Sequence, residues 1–385
     1  MYVDKVFCEE CGTEVSEERP VTDCPQCGEP LRIDYDFERI GKEIDKDQIE
    51  NRKSDLFRYR ELLPLKEVPV TLGEGDTPVI ESSALGPEAD LAVHFKLEYC
   101  NPTGSFKDRG GAMTVSKARE WGVEKVADDS SGNAGAALAA YSARAGLDCT
   151  IYVPEKASGE KIEQVKSYGA ELRTVPGPRE NTAEKIRGET EGSDVHYASH
   201  NLSPYFTEGM KTIAYEVSEY FDWNPPEHVI FPVGGGALLV GVYRGFRDLL
   251  RLGWIDELPA IYGVQSKACN PVVRAFEASR EDIEPVDVEP TIAEGIHIGN
   301  PERGREILEA IRDTDGRALA VEEAEIRRTH KSLAEREGIY AEPTSATPIA
   351  GLPELSRRGV IGSGDRVLVP ITGFGLKDVR AGERN

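Results

Sequence analysis

In this 385-residue chain, Lys107 is the residue whose type and position most directly suggest a chemical role. It lies in the stretch 101–110, between a strand-like apolar run and a predicted helix that Ser105 can cap. Because the positive end of a helix dipole opposes an ammonium charge, a partly buried lysine here should have a lowered pKa and act as an amine nucleophile. Such an amine can form a Schiff base with an aldehyde cofactor. A solvated lysine in the first turn of a surface helix is the alternative that this stretch leaves open.

Four cysteines near the start of the chain form a second group with ligand-like spacing: Cys8, Cys11, Cys24 and Cys27. They make two Cys-x-x-Cys-Gly turns, and four thiolates on two tight turns suit a closed, tetrahedral zinc site. Two disulfides are the alternative, which a reducing cytosol disfavours. A catalytic dithiol is disfavoured because two matched pairs leave no open coordination position. We therefore expect a structural zinc ribbon that serves stability or subunit docking.

Length and composition predict a multidomain protein of the cytoplasm. A chain of 385 residues exceeds one usual core, and 39% hydrophobic residues can fill two or more. Long uncharged apolar runs are missing, so we expect no membrane span. The first residues lack the basic and then apolar pattern of a secretory signal, which favours a cytoplasmic location.

The net charge of −23 restricts the partners. It argues against nucleic acid, whose phosphates would be repelled, even though cysteine ribbons often bind nucleic acid. Acid-rich composition with more arginine than lysine suggests a halophilic protein, because salt in the cytoplasm would screen this self-repulsion. An ordinary acidic enzyme is the alternative.

The sequence after Lys107 alternates strand-like and helix-like segments, which predicts a parallel sheet covered by helices. Binding sites in such sheets lie at the carboxyl ends of the strands, where the loops 130–135 and 234–236 are predicted. The amides of the first loop open a helix and can hold a carboxylate, or they form a simple capping turn. The second loop is Gly234-Gly235-Gly236, whose backbone can approach a phosphate closely. A tight strand–helix turn is the alternative there.

Several segments resemble one known family. The Asn-Pro-Thr-Gly-Ser-Phe-Lys-Asp-Arg-Gly stretch at 101–110 is similar to the pyridoxal-phosphate lysine motif of the threonine synthase and threonine dehydratase family, and most of all to archaeal-type threonine synthases. The resemblance extends over residues 72–379 and includes the segments 72–78, 291–296 and 373–378. It implies the α/β, two-lobed pyridoxal-phosphate fold type II (tryptophan synthase beta-like), here with the N-terminal zinc ribbon that archaeal-type members also carry.

The resemblance assigns roles to individual residues. Lys107 would hold pyridoxal 5'-phosphate and then act as the general base at Cα of the substrate. Thr372 would bond the pyridine nitrogen, and because its hydroxyl is neutral we expect that nitrogen to stay unprotonated. The substrate carboxylate would dock on Ser131, Gly132, Asn133 and Ala134, with Asn133 also bonding the cofactor ring hydroxyl. The cofactor phosphate would lie on Gly234, Gly235, Gly236 and Ala237.

Phe206 is the main departure from the family pattern. The segment 201–212 resembles a threonine synthase stretch in which an arginine for the substrate phosphate falls at this position. A phenyl ring cannot neutralise or fork onto a phosphate, although Ser203, Lys211 or an arginine elsewhere could compensate. The Gly-Gly-Gly form of the phosphate loop is also closer to the dehydratases and other lyases. His196 and His200 lie nearby and are interpreted as ordinary polar residues.

We expect four regions, namely a zinc ribbon at 1–34, a connector at 35–64, a small lobe at 101–203, and a large cofactor-binding lobe at 65–100 and 204–385. Within the connector, residues 47–63 are predicted to be helical. The expected partners are a small amino-acid substrate and, because this fold commonly pairs its subunits, a second copy of the chain in a homodimer.

The predicted function is that of a pyridoxal-phosphate-dependent lyase of the threonine synthase type. It would convert O-phosphohomoserine and water into threonine and phosphate. A related amino-acid lyase, threonine/serine dehydratase-like or a β-replacement enzyme, is the alternative that Phe206 leaves open. A zinc-ribbon binding module without enzymatic activity is a third.

Overall fold

The computed structural model describes residues 1–155, 159–177 and 180–382. The strands of the chain are β1 (Val3–Phe7), β2 (Glu14–Val15), β3 (Arg32–Tyr35), β4 (Val79–Glu81), β5 (Ala92–Lys96), β6 (Lys125–Asp128), β7 (Asp148–Pro154), β8 (Glu171–Val175), β9 (Val195–Tyr197), β10 (His228–Pro232), β11 (Ala260–Ser266), β12 (Ala318–Val321) and β13 (Arg366–Pro370).

The helices are α1 (Phe37–Glu43), α2 (Lys46–Glu50), α3 (Leu85–Glu88), α4 (Lys107–Glu120), α5 (Asn133–Ala145), α6 (Glu160–Ser167), α7 (Glu180–Thr190), α8 (Pro204–Tyr220), α9 (Ala237–Arg251), α10 (Pro271–Glu277), α11 (Gly304–Asp313), α12 (Glu323–Glu337) and α13 (Pro343–Arg357). Short 3₁₀ segments cover Leu56–Leu62, Glu98–Cys100, Glu294–Ile296 and Gly375–Gly382. Within the described part of the chain, no helix combines the length and apolar character that crossing a membrane requires.

Contacts within the chain define two compact units. The first unit contains Met1–Asp76 and Asn101–Thr212. The second unit contains Thr77–Cys100 and the chain from Ile213 onward. Lys107 therefore belongs to the first unit, and the Gly234–Gly236 loop belongs to the second.

The first unit begins with a small antiparallel sheet in the order β2-β1-β3. Its core consists of Val6, Cys8, Cys24 and Leu31, with a few partly buried valines and an isoleucine around them. A core of this size buries little apolar surface, and small folds of this kind usually need a metal or disulfides to stay ordered. The paired cysteines are therefore in the place where such a crosslink would stabilise the fold.

The main sheet of the first unit has the order β8-β7-β6-β9, and all its strand pairs are parallel, as the alternating pattern predicts. Helices α4 and α5 pack closely because small residues line their contact. A Cβ added to Gly111 of α4 would lie 3.2 Å from the Cβ of Ala137 on α5. The carboxyl end of β6 then leads directly into the loop that precedes α5.

The second unit contains a six-stranded sheet in the order β12-β11-β10-β13-β5-β4. Strand β4 pairs antiparallel with β5, and the other pairs are parallel. Its apolar core includes Val93, Phe95, Ile230, Val264 and Val367. Because β10 and β13 are neighbours, the loops that follow them emerge side by side at the carboxyl edge of the sheet.

The single helix predicted for 47–63 is wrong. Helix α2 ends at Glu50, and a separate 3₁₀ segment covers Leu56–Leu62. The break occurs because Asp55 is extended, with φ −160°, and its side chain accepts a hydrogen bond from the backbone N of Phe57. The apolar face expected of this segment still forms, since Leu56, Tyr59 and Leu62 are fully buried.

Candidate active site

Lys107 is the first residue of helix α4, and the turn before it is closed by polar contacts. Gly104 has a φ of +85°, and its N–H donates to the carbonyl of Asn101 at 2.8 Å. The carboxylate of Asp108 accepts hydrogen bonds from both the backbone N and the hydroxyl of Thr103. The turn therefore holds the lysine at the beginning of the helix, where the sequence predicted it.

The predicted cap by Ser105 is wrong. The residue in the N-cap position of α4 is Phe106, whose φ and ψ are already helical, and no side chain makes a cap hydrogen bond there. The hydroxyl of Ser105 is fully buried, and the described atoms offer it no hydrogen-bond partner. Asp108 takes over the closing role, because a carboxylate one turn later can reach back to the preceding loop.

Two aromatic rings lie close to the amine of Lys107, a partly buried residue. Its Nζ lies 4.9 Å from the ring centroid of Phe106 and 5.2 Å from that of Phe206. Ring faces attract a cation at these distances and also keep water away from it. Lys107 is thus partly buried beside two aromatic rings of the first unit, which is unlike the solvated lysine considered as an alternative.

Phe206 reaches this position because two helices pack without side chains between them. It is buried in the first turn of α8, and a Cβ added to Gly110 would lie 2.6 Å from its ring. One turn later, a Cβ added to Gly209 would lie 2.2 Å from the carbonyl oxygen of Arg109. Glycines at the crossing of α4 and α8 therefore bring Phe206 against the lysine, a role that the sequence comparison with an arginine did not reveal.

Lys211 does not replace that arginine. It is buried on α8, and its Nζ lies 2.6 Å from a carboxylate oxygen of Glu208. The same ammonium lies 4.2 Å from the ring centroid of Tyr35, whose hydroxyl also donates to Glu208. The charge of Lys211 is therefore balanced within a buried network that joins strand β3 to helix α8.

His200 forms a buried pair with Asp128. Its Nδ1 lies 3.1 and 3.2 Å from the two carboxylate oxygens of Asp128, at the end of β6. Burial alone would raise the pKa of Asp128, but the charge and hydrogen bonds of His200 outweigh it and lower that pKa. The His200 ring also meets the edge of Phe206, with ring centroids 6.1 Å apart. The pair thus contacts Phe206, one of the two rings close to Lys107.

His196 is a different kind of histidine. It packs edge-on against Trp121 with ring centroids 5.5 Å apart, and burial lowers its pKa to about 4. The two histidines therefore have separate partners. Asp128, Asp129 and His200 have ligand atoms within 4.8 Å of one another, but Asp128 and His200 are already paired, and the hydroxyl of Tyr197 donates to Asp129.

The predicted carboxylate loop leads from β6 into helix α5. Gly132 occupies the N-cap position of this 13-residue helix, and no side chain makes a cap hydrogen bond there. A Cβ added to Gly135 would lie only 2.0 Å from the carbonyl oxygen of Ser130, so the loop turns too tightly for any other residue. Ser131 precedes Gly132, and Asn133 and Ala134 are the first two residues of the helix. The backbone amides at this helix start are suitably placed to bind an anion.

The four cysteines of the ribbon converge on one point. The Sγ atoms of Cys8 and Cys27, and those of Cys11 and Cys24, are 3.5 Å apart, and those of Cys11 and Cys27 are 3.6 Å apart. All four are thiols and not disulfides. Sulfur atoms on a tetrahedral zinc, at about 2.3 Å each from the metal, would be about 3.8 Å apart. The donor set and its spacing therefore fit a zinc ion.

In the second unit, the glycine loop and Thr372 lie at the ends of neighbouring strands. Val229 of β10 pairs with Leu368 of β13. Gly234 and Thr372 each follow the carboxyl end of their strand by two residues. The structure thus brings together two predicted groups that are more than a hundred residues apart in the chain.

The backbone of the loop Gly234–Gly236 packs closely against neighbouring elements. A Cβ added to Gly234 would lie 3.0 Å from the carbonyl oxygen of Gly295. Gly236 has a φ of +96°, and its added Cβ would lie 2.6 Å from the side chain of Ile307. Helix α9 begins at Ala237 with no side-chain cap, so its first amides can serve an anion. This backbone fits the phosphate of pyridoxal 5'-phosphate.

Thr372 belongs to a buried hydroxyl cluster. Its Oγ1 donates to the carboxylate of Glu342 at 2.8 Å and lies 2.9 Å from the hydroxyl oxygen of Ser345, which accepts from the Thr372 N–H at 3.0 Å. A Cβ added to Gly373 would lie 2.5 Å from the Glu342 carboxylate. Sequence reasoning identified Thr372 but missed Glu342, although an acidic residue before the proline that opens α13 was a usable signal.

His297 is a second residue that sequence reasoning missed. Its Nε2 is buried and has no hydrogen-bond partner in the described part of the chain. It follows the segment Glu294–Ile296, in which the N–H of Gly295 donates to the hydroxyl of Thr344 at 3.2 Å. This segment packs against Gly234, so the imidazole lies on an element that borders the glycine loop.

Comparison with known proteins identifies the family of this chain. Residues 70–373 match the family model described as pyridoxal-phosphate dependent enzyme. The chain belongs to this family. It is 38% identical to a threonine synthase of Methanocaldococcus jannaschii over 98% of this chain and 94% of that protein. It is 36% identical to a threonine synthase of Methanosarcina acetivorans over 96% and 91% of the two chains.

Solved structures support the same fold. A threonine deaminase from T.th. aligns with a TM-score of 0.65 and 26% identity, covering 77% of this chain and 92% of that chain. A maize serine racemase aligns with a TM-score of 0.67 and covers 77% and 89% of the two chains. The predicted family and its α/β fold type II are therefore confirmed, and the protein is a pyridoxal-phosphate-dependent enzyme.

Proposed function

We propose that this enzyme is a threonine synthase that converts O-phosphohomoserine and water into threonine and phosphate. The observation that carries the proposal is the 38% identity to an archaeal threonine synthase over 98% of the chain. An alignment of this extent includes the ribbon region as well as the rest of the chain. A second archaeal threonine synthase, 36% identical over 96% of the chain, gives the same support.

Each group of pyridoxal 5'-phosphate has an assigned residue in this proposal. We assign its covalent attachment to Lys107, its phosphate to Gly234, Gly235, Gly236 and Ala237, its ring hydroxyl to Asn133, and its ring nitrogen to Thr372. The close-packed glycines and the uncapped start of α9 support the phosphate assignment. When bound, the cofactor withdraws electrons from Cα of an amino acid joined to it.

The chain's own groups would then bind the substrate and move its protons. Ser131, Gly132, Asn133 and Ala134 present the start of α5 to the substrate carboxylate, where the helix dipole favours a negative charge. The amine of Lys107 would take the proton from Cα and return it later as a general acid. The rings of Phe106 and Phe206 lie beside the amine and would shield the proton transfer from water.

We further propose that Cys8, Cys11, Cys24 and Cys27 bind one structural zinc ion. The spacing of their sulfur atoms supports this assignment. The ribbon also contacts the rest of its unit, since the indole N–H of Trp121 donates to the carbonyl of Glu17 at 2.7 Å and Thr22 donates to the carbonyl of Tyr197 at 2.5 Å. Its role would be to stabilise the first unit.

Metal analysis tests the zinc assignment. Purified protein should contain one zinc per chain, and Cys11→Ser should lose it and unfold at lower denaturant concentration. Cys149→Ser is the control, because this partly buried cysteine lies on β7, outside the ribbon. Wild-type protein that contains no metal, and whose four ribbon thiols all react at once with a thiol reagent, would rule out the assignment.

We also propose that the enzyme is a cytoplasmic homodimer of a high-salt cell. The net charge of −23 and the seven unpaired cysteines support a salty and reducing environment. Exposed apolar side chains such as Tyr220 and Leu376, 54% and 57% exposed, support burial against a second copy. Sedimentation in molar and dilute salt tests this: a monomer in both would contradict the dimer.

A related lyase remains the second candidate because of Phe206. An aromatic ring 5.2 Å from the Lys107 amine provides no charge for a substrate phosphate, and Lys211 is paired with Glu208. A dehydratase or a β-replacement enzyme acting on an unphosphorylated amino acid would have no need of that charge.

A product assay separates the two candidates. The purified enzyme with its cofactor is incubated with O-phosphohomoserine, with threonine and with serine. Release of phosphate together with threonine supports the threonine synthase, whereas 2-oxo acid from threonine or serine, without turnover of O-phosphohomoserine, supports the second candidate. Lys107→Ala is the control for background hydrolysis. Phe206→Arg should lower KM for O-phosphohomoserine if the substrate phosphate lies near this position, and should lower kcat without lowering KM if the ring serves only the lysine.

A further inference from the structure

Gln265 is a buried polar residue of the second unit that has no task in the proposed reaction. It lies on strand β11 and is fully buried. Its Nε2 donates to the carbonyl oxygen of Val233 at 3.1 Å. Val233 is the residue immediately before the Gly234–Gly236 loop. The side chain therefore connects β11 to the point where the loop begins.

The other end of the same amide is bound as well. Its Oε1 accepts hydrogen bonds from the backbone N–H groups of Val272 at 3.0 Å and Val273 at 3.2 Å. These are the first two N–H groups of helix α10, because the helix begins with Pro271, which has none. A carboxamide can donate at one end and accept at the other, whereas a carboxylate can only accept. The bonds at both ends therefore fix the orientation of Gln265.

The bond to Val233 also sets the direction of the peptide group that follows. The C=O of Val233 and the N–H of Gly234 belong to one planar unit. This unit is trans, since the described part of the chain contains no cis peptide bond, and in a trans unit the C=O and the N–H point in opposite directions. Because Gln265 holds the carbonyl on its own side, the N–H of Gly234 points to the other side.

The amides of the loop are free to bind a ligand. The N–H groups of Gly234, Gly235 and Gly236 donate no hydrogen bond within the described part of the chain. Gly234 and Gly236 are buried, and a buried N–H is rarely left without a partner. Amides of this kind at the start of a helix suit a phosphate group.

We infer that Gln265 is a positioning residue, which holds the peptide group between Val233 and Gly234 so that the Gly234 N–H faces the phosphate of pyridoxal 5'-phosphate. The inference rests on the proposed assignment of that phosphate to the Gly234–Gly236 loop. Gln265 acts through Val233 and does not itself contact the phosphate. It makes the direction of a backbone amide depend on a side chain from another strand.

Gln265→Glu tests the inference with a small chemical change. The new carboxylate still accepts from Val272 and Val273, but it cannot donate to Val233 and repels that carbonyl oxygen. The peptide group should then rotate and withdraw the Gly234 N–H. Apoenzyme is titrated at alkaline pH, where the new group is charged, with pyridoxal 5'-phosphate and with pyridoxal, which lacks the phosphate. Kd for pyridoxal 5'-phosphate should rise about tenfold or more, while Kd for pyridoxal stays nearly the same.

The ratio of the two affinities separates positioning from general damage to the fold. A residue that only supported the fold would, when changed, weaken the binding of both ligands equally. Equal weakening in Gln265→Glu therefore overturns the inference, and so does an unchanged Kd for pyridoxal 5'-phosphate. If Gln265→Glu does not fold, Gln265→Met removes the same bond without adding a charge. The ratio should change in the same direction, and an unchanged ratio again overturns the inference.

Two control variants accompany this measurement. Leu333→Ala creates a cavity in the core of the same unit, since Leu333 is fully buried on α12, and should lower stability without changing the ratio. Gln48→Glu makes the same chemical change at an exposed position on α2, where the side chain accepts from the Asp45 N–H at 3.1 Å. It should also leave the ratio unchanged. A ratio that moves in either control as far as in Gln265→Glu contradicts the inference.

The measurements separate this inference from the proposed function. A wild-type protein that binds pyridoxal 5'-phosphate no more tightly than pyridoxal contradicts the assignment of the phosphate, and the inference with it. A wild-type preference for pyridoxal 5'-phosphate that survives in Gln265→Glu contradicts the inference alone. Failure to form threonine contradicts the proposed substrate, while both affinity results remain valid.

Discussion

The candidate functional groups of the first unit are mostly side chains, whereas those of the second unit are mostly backbone. Around Lys107 the relevant groups are the rings of Phe106 and Phe206, which helix packing brings near the amine. In the second unit the corresponding groups are the amides of the Gly234–Gly236 loop and the start of α9, where added Cβ atoms would collide with neighbouring elements. Thr372 is the main side chain there.

This difference predicts which kind of substitution removes the functional groups of each unit. A side-chain group is lost by replacing one residue, while the fold around it can survive. A backbone group has no side chain to remove, so it is lost only when the chain is forced to move. We therefore expect the first unit to lose function when a side chain is removed. We expect the second unit to lose function when a substitution adds atoms that displace the backbone.

The largest effect is expected for Lys107→Ala. Loss of the amine should remove the visible absorbance of the bound cofactor and lower kcat by about 10³-fold or more, because the same group serves as attachment point and general base. Absorbance spectra and threonine formation measure this. Lys125→Ala is the control, since that lysine lies on strand β6, where its side chain is 44% exposed and pairs with Asp194. Bound chromophore that remains in Lys107→Ala would refute the assignment.

Gly236→Ala should have the next largest effect, on cofactor affinity. The new Cβ would lie 2.6 Å from Ile307 at a φ of +96°, which costs about 1–3 kcal/mol and shifts the loop. Titration with pyridoxal 5'-phosphate should give a Kd raised at least tenfold. Gly253→Ala is the matched control at the other end of α9, because it has a φ of +67° but nothing within 4 Å of the added Cβ. Equal losses in both variants would mean that strain alone, and not the cradle, sets the affinity.

Acid should destabilise the first unit through His196. Burial lowers its pKa to about 4 from 6.5, so the unfolded chain takes up this proton first as the pH falls. The free energy of unfolding should therefore decrease progressively as the pH falls from 6.5 to about 4, by up to about 3 kcal/mol. Urea unfolding of wild type and His196→Gln between pH 7 and 4.5 tests this. An unchanged pH slope in the variant would show that other groups cause the acid sensitivity.

The smallest effect is expected where the ribbon meets the rest of the first unit. Thr22→Val removes the hydrogen bond to the carbonyl of Tyr197 and should cost about 1 kcal/mol. Hydrogen exchange should also increase near Asp129, because the hydroxyl of Tyr197 donates to that carboxylate at 3.0 Å. Thr22→Ser keeps the hydroxyl and should behave as wild type. Faster exchange confined to the ribbon would mean that the contact does not reach the loop after β6.

Local patterns in the sequence were sufficient for several parts of the site. The helix at Lys107, the two cysteine turns and the glycine loop each depend on residues within one short segment, so composition and spacing predict them. The predicted cap by Ser105 was wrong because it relied on a general preference alone. Serine favours caps in general, but here Asp108 closes the turn and leaves the Ser105 hydroxyl buried.

The sequence by itself determined the family, the lysine, the four thiols and the glycine-rich turn, because each is a property of neighbouring residues. Only the tertiary structure decided that Phe206 faces Lys107, that Asp128 pairs with His200, and that Glu342 takes the hydroxyl hydrogen of Thr372. These pairs join residues 30 to 99 positions apart, through sheet order and helix crossings that no local pattern contains. The chemistry of a group such as Thr372 therefore follows from its partner as much as from its own type.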